Sequence, residues 1–252
     1  MKFQISSNHE KNTDFIKKCI EDFETSGEIF INGNRNCIKI FEQNGFIYNI
    51  KSFKKPNIIN QIIYRFFRES KAKRSYDYAS ILLKKNIGTP EPIAYFEKHN
   101  FFGLTKSFYV CEHITANLTF TNLNTTPNLP NHEIILREFT NFSFQLHENG
   151  IEFLDHSQGN TLIKKNDNGN YSFYLVDLNR MKFHETMDLD LRMKNLCRLT
   201  PKRYMIEIMS AEYAKLYKKD YQIIFDKMWF YVQQFQKKFQ KKHADVAYKG
   251  EN

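Results

Sequence analysis

The sequence lacks most of the features that would settle its class at once. It has only four cysteines among 252 residues. They stand at 19, 37, 111 and 197, far apart and without a Cys-x-x-Cys pair. That spacing excludes a zinc ribbon and a disulfide framework, and it fits a reducing compartment. No apolar run approaches the ~20 residues needed to cross a bilayer. The opening MKFQISSNHEKN has no apolar core of signal-peptide length. A soluble, cytoplasmic protein is therefore expected. There is no G-x-S-x-G elbow, no zinc-finger, RNP or helix-turn-helix pattern, no G-x-G-x-x-G loop and no solenoid-length repeat. Nucleic acid is not the expected partner.

What the chain does have is aromatic mass and positive charge. Phe 24 and Tyr 14 supply a core and exclude a disordered chain. The length suits one large domain or two lobes. The formal net charge of +9 calls for an anionic partner, such as a phosphorylated substrate or an anionic membrane, or else marks a solvated lysine-rich face.

The most informative stretch is FLDHSQGNTLIKKNDNGNYSFYLVDLNR, residues 153–180. Asp155, Asn160 and Asp177 punctuate it. Between Asn160 and Asp177 the pattern is a hairpin: an apolar run at Thr161-Leu162-Ile163, a turn cluster from Asn166 to Asn170, and a second run from Phe173 to Val176. A hairpin returns Asn160 and Asp177 to the same end. Amide and carboxylate oxygens are hard ligands suited to Mg²⁺ on phosphates. Asp155 is left to receive the proton of a hydroxyl nucleophile, the division of labour used by kinases. His156-Ser157 is not read as a base–nucleophile pair, because sequence neighbours rarely face each other. Arg180 either meets a negative charge on the acceptor or pairs with a carboxylate.

The spacing is similar to the kinase D-x-x-x-x-N loop followed by the metal-binding Asp. DHSQGN resembles the D-x-H-x-G-N loop of small-molecule kinases. With Val176-Asp177-Leu178-Asn179-Arg180 it most resembles the lipopolysaccharide-core kinases of the Kdo/heptose (WaaP-type) family. The resemblance covers roughly residues 28–200. It implies an α+β, two-lobed protein-kinase-like fold, with a small, mainly β N-lobe over 1–114 and a larger, mainly helical C-lobe over 115–252. It further implies ATP and Mg²⁺ as cofactors, Asp155 as catalytic residue, and Asn160 and Asp177 as metal ligands. The acceptor would be a Kdo or heptose hydroxyl of a lipid A–core molecule, met at the cytoplasmic face of the inner membrane.

Taken in order, residues 12–24 read as an amphipathic helix, and 28–32, 37–42 and 46–53 as three strands. The loop Gly33-Asn34-Arg35-Asn36 stands where a kinase covers the ATP phosphates; Gly33 and Arg35 are candidates for that contact, and an ordinary hairpin loop is the alternative. The third strand brings Lys51, with Lys54 and Lys55 close behind. The resemblance selects Lys51 as the phosphate-gripping lysine. Residues 56–74 form a basic, apolar stretch that either packs or lies on an anionic membrane. Its helix continues to about residue 83 and carries Glu69 and Asp77, of which Asp77 is taken as partner of Lys51. A strand over 104–110 leads to Cys111-Glu112-His113-Ile114, the expected hinge, where the backbone of Glu112 and His113 would meet adenine. Residues 115–131 read as a loop, 131–148 as a helix ended by Asn149-Gly150, and the chain from Thr200-Pro201 onward as helical. His147 is either a helix-end cation or a buried structural group. The last helix, about 220–243, ends in Lys237, Lys238, Lys241 and Lys242, a solvated face or a dock for anionic lipid.

Two other readings stay open. One is a kinase of another small molecule, of the aminoglycoside or choline type, for which an acidic pocket would be expected. The other is a pseudokinase that binds an anionic membrane or nucleic acid.

Overall fold

The structure, a computed structural model, describes residues 1–33, 36–57, 68–101 and 103–249, with side chains described to 242. Arg35 and the apolar part of the basic stretch, 58–67, lie outside the described residues. In chain order the elements are β1 (Lys2–Ile5), α1 (Thr13–Glu21), β2 (Glu28–Asn32), β3 (Asn36–Gln43), β4 (Phe46–Phe53), α2 (Lys71–Lys84), β5 (Pro92–Asn100), β6 (Gly103–Glu112), β7 (Leu118–Thr119), α3 (Phe120–Thr125), α4 (His132–Glu148), β8 (Ile151–Phe153), β9 (Thr161–Lys165), β10 (Tyr171–Leu175), β11 (Met181–Phe183), α5 (Leu189–Leu196), α6 (Arg203–Tyr217) and α7 (Tyr221–Lys249). They fall into two compact units. The first holds Met1–Thr115 and Asp177–Asn179; the second holds Ala116–Val176 and Arg180–Asn252.

The first unit is an antiparallel six-stranded sheet in the order β1-β5-β6-β4-β3-β2. Side chains alternate between faces along a strand. Tyr48 and Ile50 of β4 therefore share one face, where they join Phe96, Phe108 and Val110 under Ile16, Cys19, Ile20 and Phe23 of α1. Lys51 falls on the other face, opposite Tyr109 of β6, and Tyr109 in turn opposes Tyr95 of β5. Helix α2 packs on that second face, with Tyr76 edge-on to Tyr95 at 5.6 Å. Its N-terminus is capped by Ser70, whose hydroxyl accepts the Lys73 amide at 3.0 Å. Strand β1, whose alternation Lys2-Phe3-Gln4-Ile5 runs for only four residues, is held at the edge by pairing with β5 and by Phe3 stacking on Phe96 at 5.4 Å.

The second unit is mainly helical. Helices α3 to α7 enclose Phe120, Leu136, Phe139, Met193, Met209, Tyr213, Ile224 and Met228, all fully buried. Phe139 is the centre of an aromatic cluster with Phe120 at 4.6 Å and Phe173 at 5.7 Å. Burying such a ring stabilises by about 1.5–3 kcal/mol relative to exposure. The region 115–131, expected to be a loop, instead holds β7 and α3. Thr119 starts that helix by a reciprocal cap in which the Asn122 side chain takes the Thr119 amide at 2.8 Å. Six residues are too few to show a helical period in the sequence. Helix α6 begins at Arg203, so Thr200 does not cap it. The Thr200 hydroxyl accepts the Lys202 amide at 3.1 Å, one turn earlier.

The Asn149-Gly150 stop is where it was expected. Gly150 has φ +69°, and an added Cβ would lie 2.0 Å from the His184 carbonyl oxygen. Only glycine fits. Across the same contact the His184 amide donates to Gly150 O at 2.8 Å, which sets β8 against β11.

Candidate active site

The hairpin of β9 and β10 pairs Thr161 with Leu175 and Ile163 with Phe173, so Asn160 and Val176 close its open end. The Val176 amide donates to Asn160 O at 3.0 Å, and Asp177 is the next residue along the chain. Asn160 Nδ2 donates to Asp155 O at 2.8 Å. A carbonyl can only accept, so this bond fixes which end of the Asn160 amide is nitrogen and leaves its oxygen as the presented atom. That is the donor a hard cation needs.

Asp155 follows β8 by two residues. Its Oδ1 accepts from two guanidinium groups, Arg180 Nη1 at 3.2 Å and Arg198 Nη1 at 3.3 Å. Arg198 Nη1 also donates to Leu154 O at 3.0 Å, and the Leu154 amide donates to Arg180 O at 3.1 Å. The loop bearing Asp155 is thus held from both sides. The Arg198 guanidinium lies 5.9 Å from the Phe235 ring centroid, so α7 braces it. Arg198 carries no motif in the sequence; only the fold brings it to Asp155, 43 positions away.

Beneath this loop lies a buried polar network that the sequence did not reveal. Asn195 Nδ2 donates to Phe153 O at 2.9 Å. Its Oδ1 faces His147 Nε2 at 3.2 Å and His156 Nδ1 at 3.4 Å. An amide oxygen accepts, so each histidine presents N–H to it. His147 Nδ1 is then free to accept from the Tyr213 hydroxyl at 2.9 Å. Burial pushes His147 down to about 3 and His156 down to about 4. Both are neutral and structural, and His147 is not a helix-end cation.

In the first unit, Lys51 Nζ pairs with Asp177 Oδ1 at 2.7 Å. The same oxygen accepts from Asn179 Nδ2 at 2.7 Å. Asp177 has φ +61°, a left-handed conformation that Asp tolerates better than most residues. Of the three lysines on and after β4, Lys51 is the one that makes this pair. It is not joined to Asp77. Asp77 Oδ2 instead takes Lys73 Nζ at 2.6 Å, and Glu69 takes the same ammonium at 2.7 Å. Both candidate carboxylates therefore serve Lys73: Asp77 as its helical neighbour four residues on, and Glu69 from the residue just before the Ser70 cap. Burial opposes the Lys73 charge, but these two carboxylates outweigh it and hold its pKa above the ordinary lysine value.

The remaining expected contacts fare differently. The Gly33 amide is taken by Asn36 O at 3.0 Å, closing its own turn, so it is not offered to a phosphate. The amides of Glu112 and His113 are also engaged, with Glu91 O at 3.0 Å and Ile47 O at 2.9 Å. Those two amides are thus committed to the backbone. The His113 ring sits edge-on to Phe30 at 5.2 Å, and burial lowers its pKa.

Among the described residues no cluster of three or more His, Cys, Asp or Glu side chains forms. A Mg²⁺ carried on phosphates requires only one or two protein oxygens; the Asn160 oxygen in the second unit and the Asp177 carboxylate in the first are each donors of that kind.

A model of the lipopolysaccharide kinase (Kdo/WaaP) family matches residues 41–221. No curated protein sequence matches the chain. Among solved structures, WaaP in complex with acyl carrier protein superposes with a TM-score of 0.64 at 13% identity, covering 96% of this chain and 99% of that one. That likeness gives a protein-kinase-like fold. The MAP kinase LmaMPK10 from Leishmania major is similar at a TM-score of 0.44 and 15% identity, over 78% of this chain and 60% of that chain.

Proposed function

We propose that this chain, which belongs to the lipopolysaccharide kinase (Kdo/WaaP) family, transfers the γ-phosphoryl group of ATP to a sugar hydroxyl of a lipopolysaccharide inner-core acceptor. The hydroxyl oxygen attacks phosphorus, the bond to the ADP oxygen breaks, and the hydroxyl proton passes to Asp155. Asn160 and Asp177 supply the oxygens for Mg²⁺, which when bound neutralises phosphate charge. Lys51 holds the phosphates. The observation that carries this reading is the Lys51–Asp177 pair at 2.7 Å, which joins residues 126 apart. A phosphate-gripping cation and a metal-binding carboxylate held together are what phosphoryl transfer requires, since it depends on positioning and charge neutralisation.

The basic chain favours an anionic acceptor over the cationic ones of aminoglycoside or choline kinases. No described helix is long and apolar enough to cross a membrane. Contact with a lipid-linked acceptor would then be peripheral, and the exposed lysines at 237, 238, 241 and 242 of α7 supply charge for an anionic surface.

The test is Mg²⁺-dependent ATP turnover with and without Kdo-lipid A. Wild type should be stimulated by the acceptor. Asp155→Ala should lose the stimulation while still binding Mg-ATP, whereas Asp177→Ala and Lys51→Met should weaken Mg-ATP binding itself. Normal turnover by Asp177→Ala would end the assignment.

A further inference from the structure

Asp155 is one negative charge held between two positive ones. Both guanidinium groups converge on the single atom Oδ1, and among the described residues Oδ2 accepts no hydrogen bond. The site keeps a surplus of one positive charge. Among the described residues no other carboxylate pairs with either arginine. Glu152, on β8, is taken by His184 at 2.9 Å and Lys182 at 3.8 Å. Glu148 is taken by Arg192. Neither arginine is buried: their side chains are 56% and 38% exposed, for Arg180 and Arg198 respectively, against 20% for Asp155.

A guanidinium has five donors in a fixed fork. Arg198 spends one nitrogen on Leu154 O and Asp155, and Arg180 one nitrogen on Asp155. The rest of each fork remains for a ligand. Arg198 is held by Phe235 and Leu154, and the Arg180 guanidinium is held by Asp155 on a backbone that is itself bonded to Leu154. Paired, anchored, half-exposed arginines match a carboxylate or phosphate in two-pronged geometry.

We infer that Arg180 and Arg198 form an anion subsite that reads an acidic group on the acceptor beside the hydroxyl to be phosphorylated. The acceptor's carboxylate or phosphate takes the outer prongs, which places its neighbouring hydroxyl at the unoccupied Oδ2 of Asp155. This rests on Asp155 being the group that receives the acceptor hydroxyl. It selects an acidic sugar, or a sugar already bearing a phosphate, over a neutral sugar and over any cationic acceptor.

The experiment compares a sugar acid (free Kdo) with its methyl ester, and a neutral heptose with its phosphate monoester. For each pair, kcat/KM with Mg-ATP and equilibrium Kd without it are measured on the full chain. The expected result is at least a tenfold preference for the charged member of one pair, in both readouts. In Arg180→Gln and Arg198→Gln the ratio should collapse toward one, and Arg180→Lys should restore part of it. Which pair shows the preference identifies the anion as carboxylate or phosphate. A ratio near one in wild type, or a ratio that both glutamine variants leave intact, overturns the subsite and leaves the kinase reading standing. Failure of every acceptor to bind overturns it as well. Charge-selective binding that the variants abolish, without Mg-ATP turnover, supports the subsite and instead sinks the kinase reading.

Discussion

Lowering the pH from 8 to 5 should weaken the helical unit by about 2–4 kcal/mol through two histidines. His147 and His156 are 1% exposed, and burial holds them down to about 3 and about 4 in the folded chain. In the unfolded chain each titrates near 6.5. A folded pKa below the unfolded one means that the unfolded state takes the proton first. The stability they allow is therefore complete above about pH 7.5 and is lost as pH falls through 6.5. At pH 5 the unfolded histidines are almost fully charged and the folded ones still almost neutral, so each costs about 2 kcal/mol. His156 also opposes the charging of His147, which helps to keep the folded pair neutral at that pH. Paired carboxylates such as Glu24 and Asp190, whose pKa values are lowered by Lys106 and Lys227, lose their contribution only at lower pH. The window from 8 to 5 thus isolates imidazoles, and His113 of the other unit, whose pKa burial also lowers, adds a loss of the same sign. The assay is urea unfolding followed by the fluorescence of Trp229, the only tryptophan, which stacks beside Phe225 at 6.4 Å in the same unit. His156→Gln should remove roughly half of the drop. A midpoint that does not move between pH 8 and pH 5, or imidazole resonances that titrate near 6.5 in the folded protein, would refute the argument.

Gly150→Ala should destabilise by at least about 3 kcal/mol, because a Cβ there meets His184 O at 2.0 Å in a left-handed backbone; a differential melt of the purified variant measures it. Asn195→Ala should cost about 2–4 kcal/mol, since it strips partners from Phe153 O and from two buried imidazole N–H groups. It should lower turnover as well, because Phe153 begins the loop that carries Asp155. A variant as stable as wild type by urea titration would show that water replaces the amide. Phe139→Ala should cost about 3–5 kcal/mol, read from the same Trp229 transition, since the ring is fully buried among Phe120, Phe173 and His156.

The sequence by itself determined the family, the kinase-like fold and the hairpin that separates Asn160 from Asp177. Those features are written in local signals. Strand alternation, the Asn-Gly turn and the D-x-x-x-x-N spacing involve residues close in the chain, so their chemistry survives without a fold. The helix stop at Asn149-Gly150 is local too, although its reason, the approach of His184, is not. The tertiary structure decided the pairings. It gave Lys51 to Asp177, while Lys73 took Asp77 by helical proximity and Glu69 from just before the helix cap. It closed the Gly33 turn on Asn36 and committed the Glu112 and His113 amides to the backbone. It also assembled Arg180 with Arg198, and Asn195 with two histidines, from segments whose separate patterns say nothing. A hydrogen-bonding side chain advertises its chemistry but not its partner. Which donor meets which acceptor depends on loop and helix packing over tens of residues, because a buried polar group needs a partner and only the fold decides which ones come within reach.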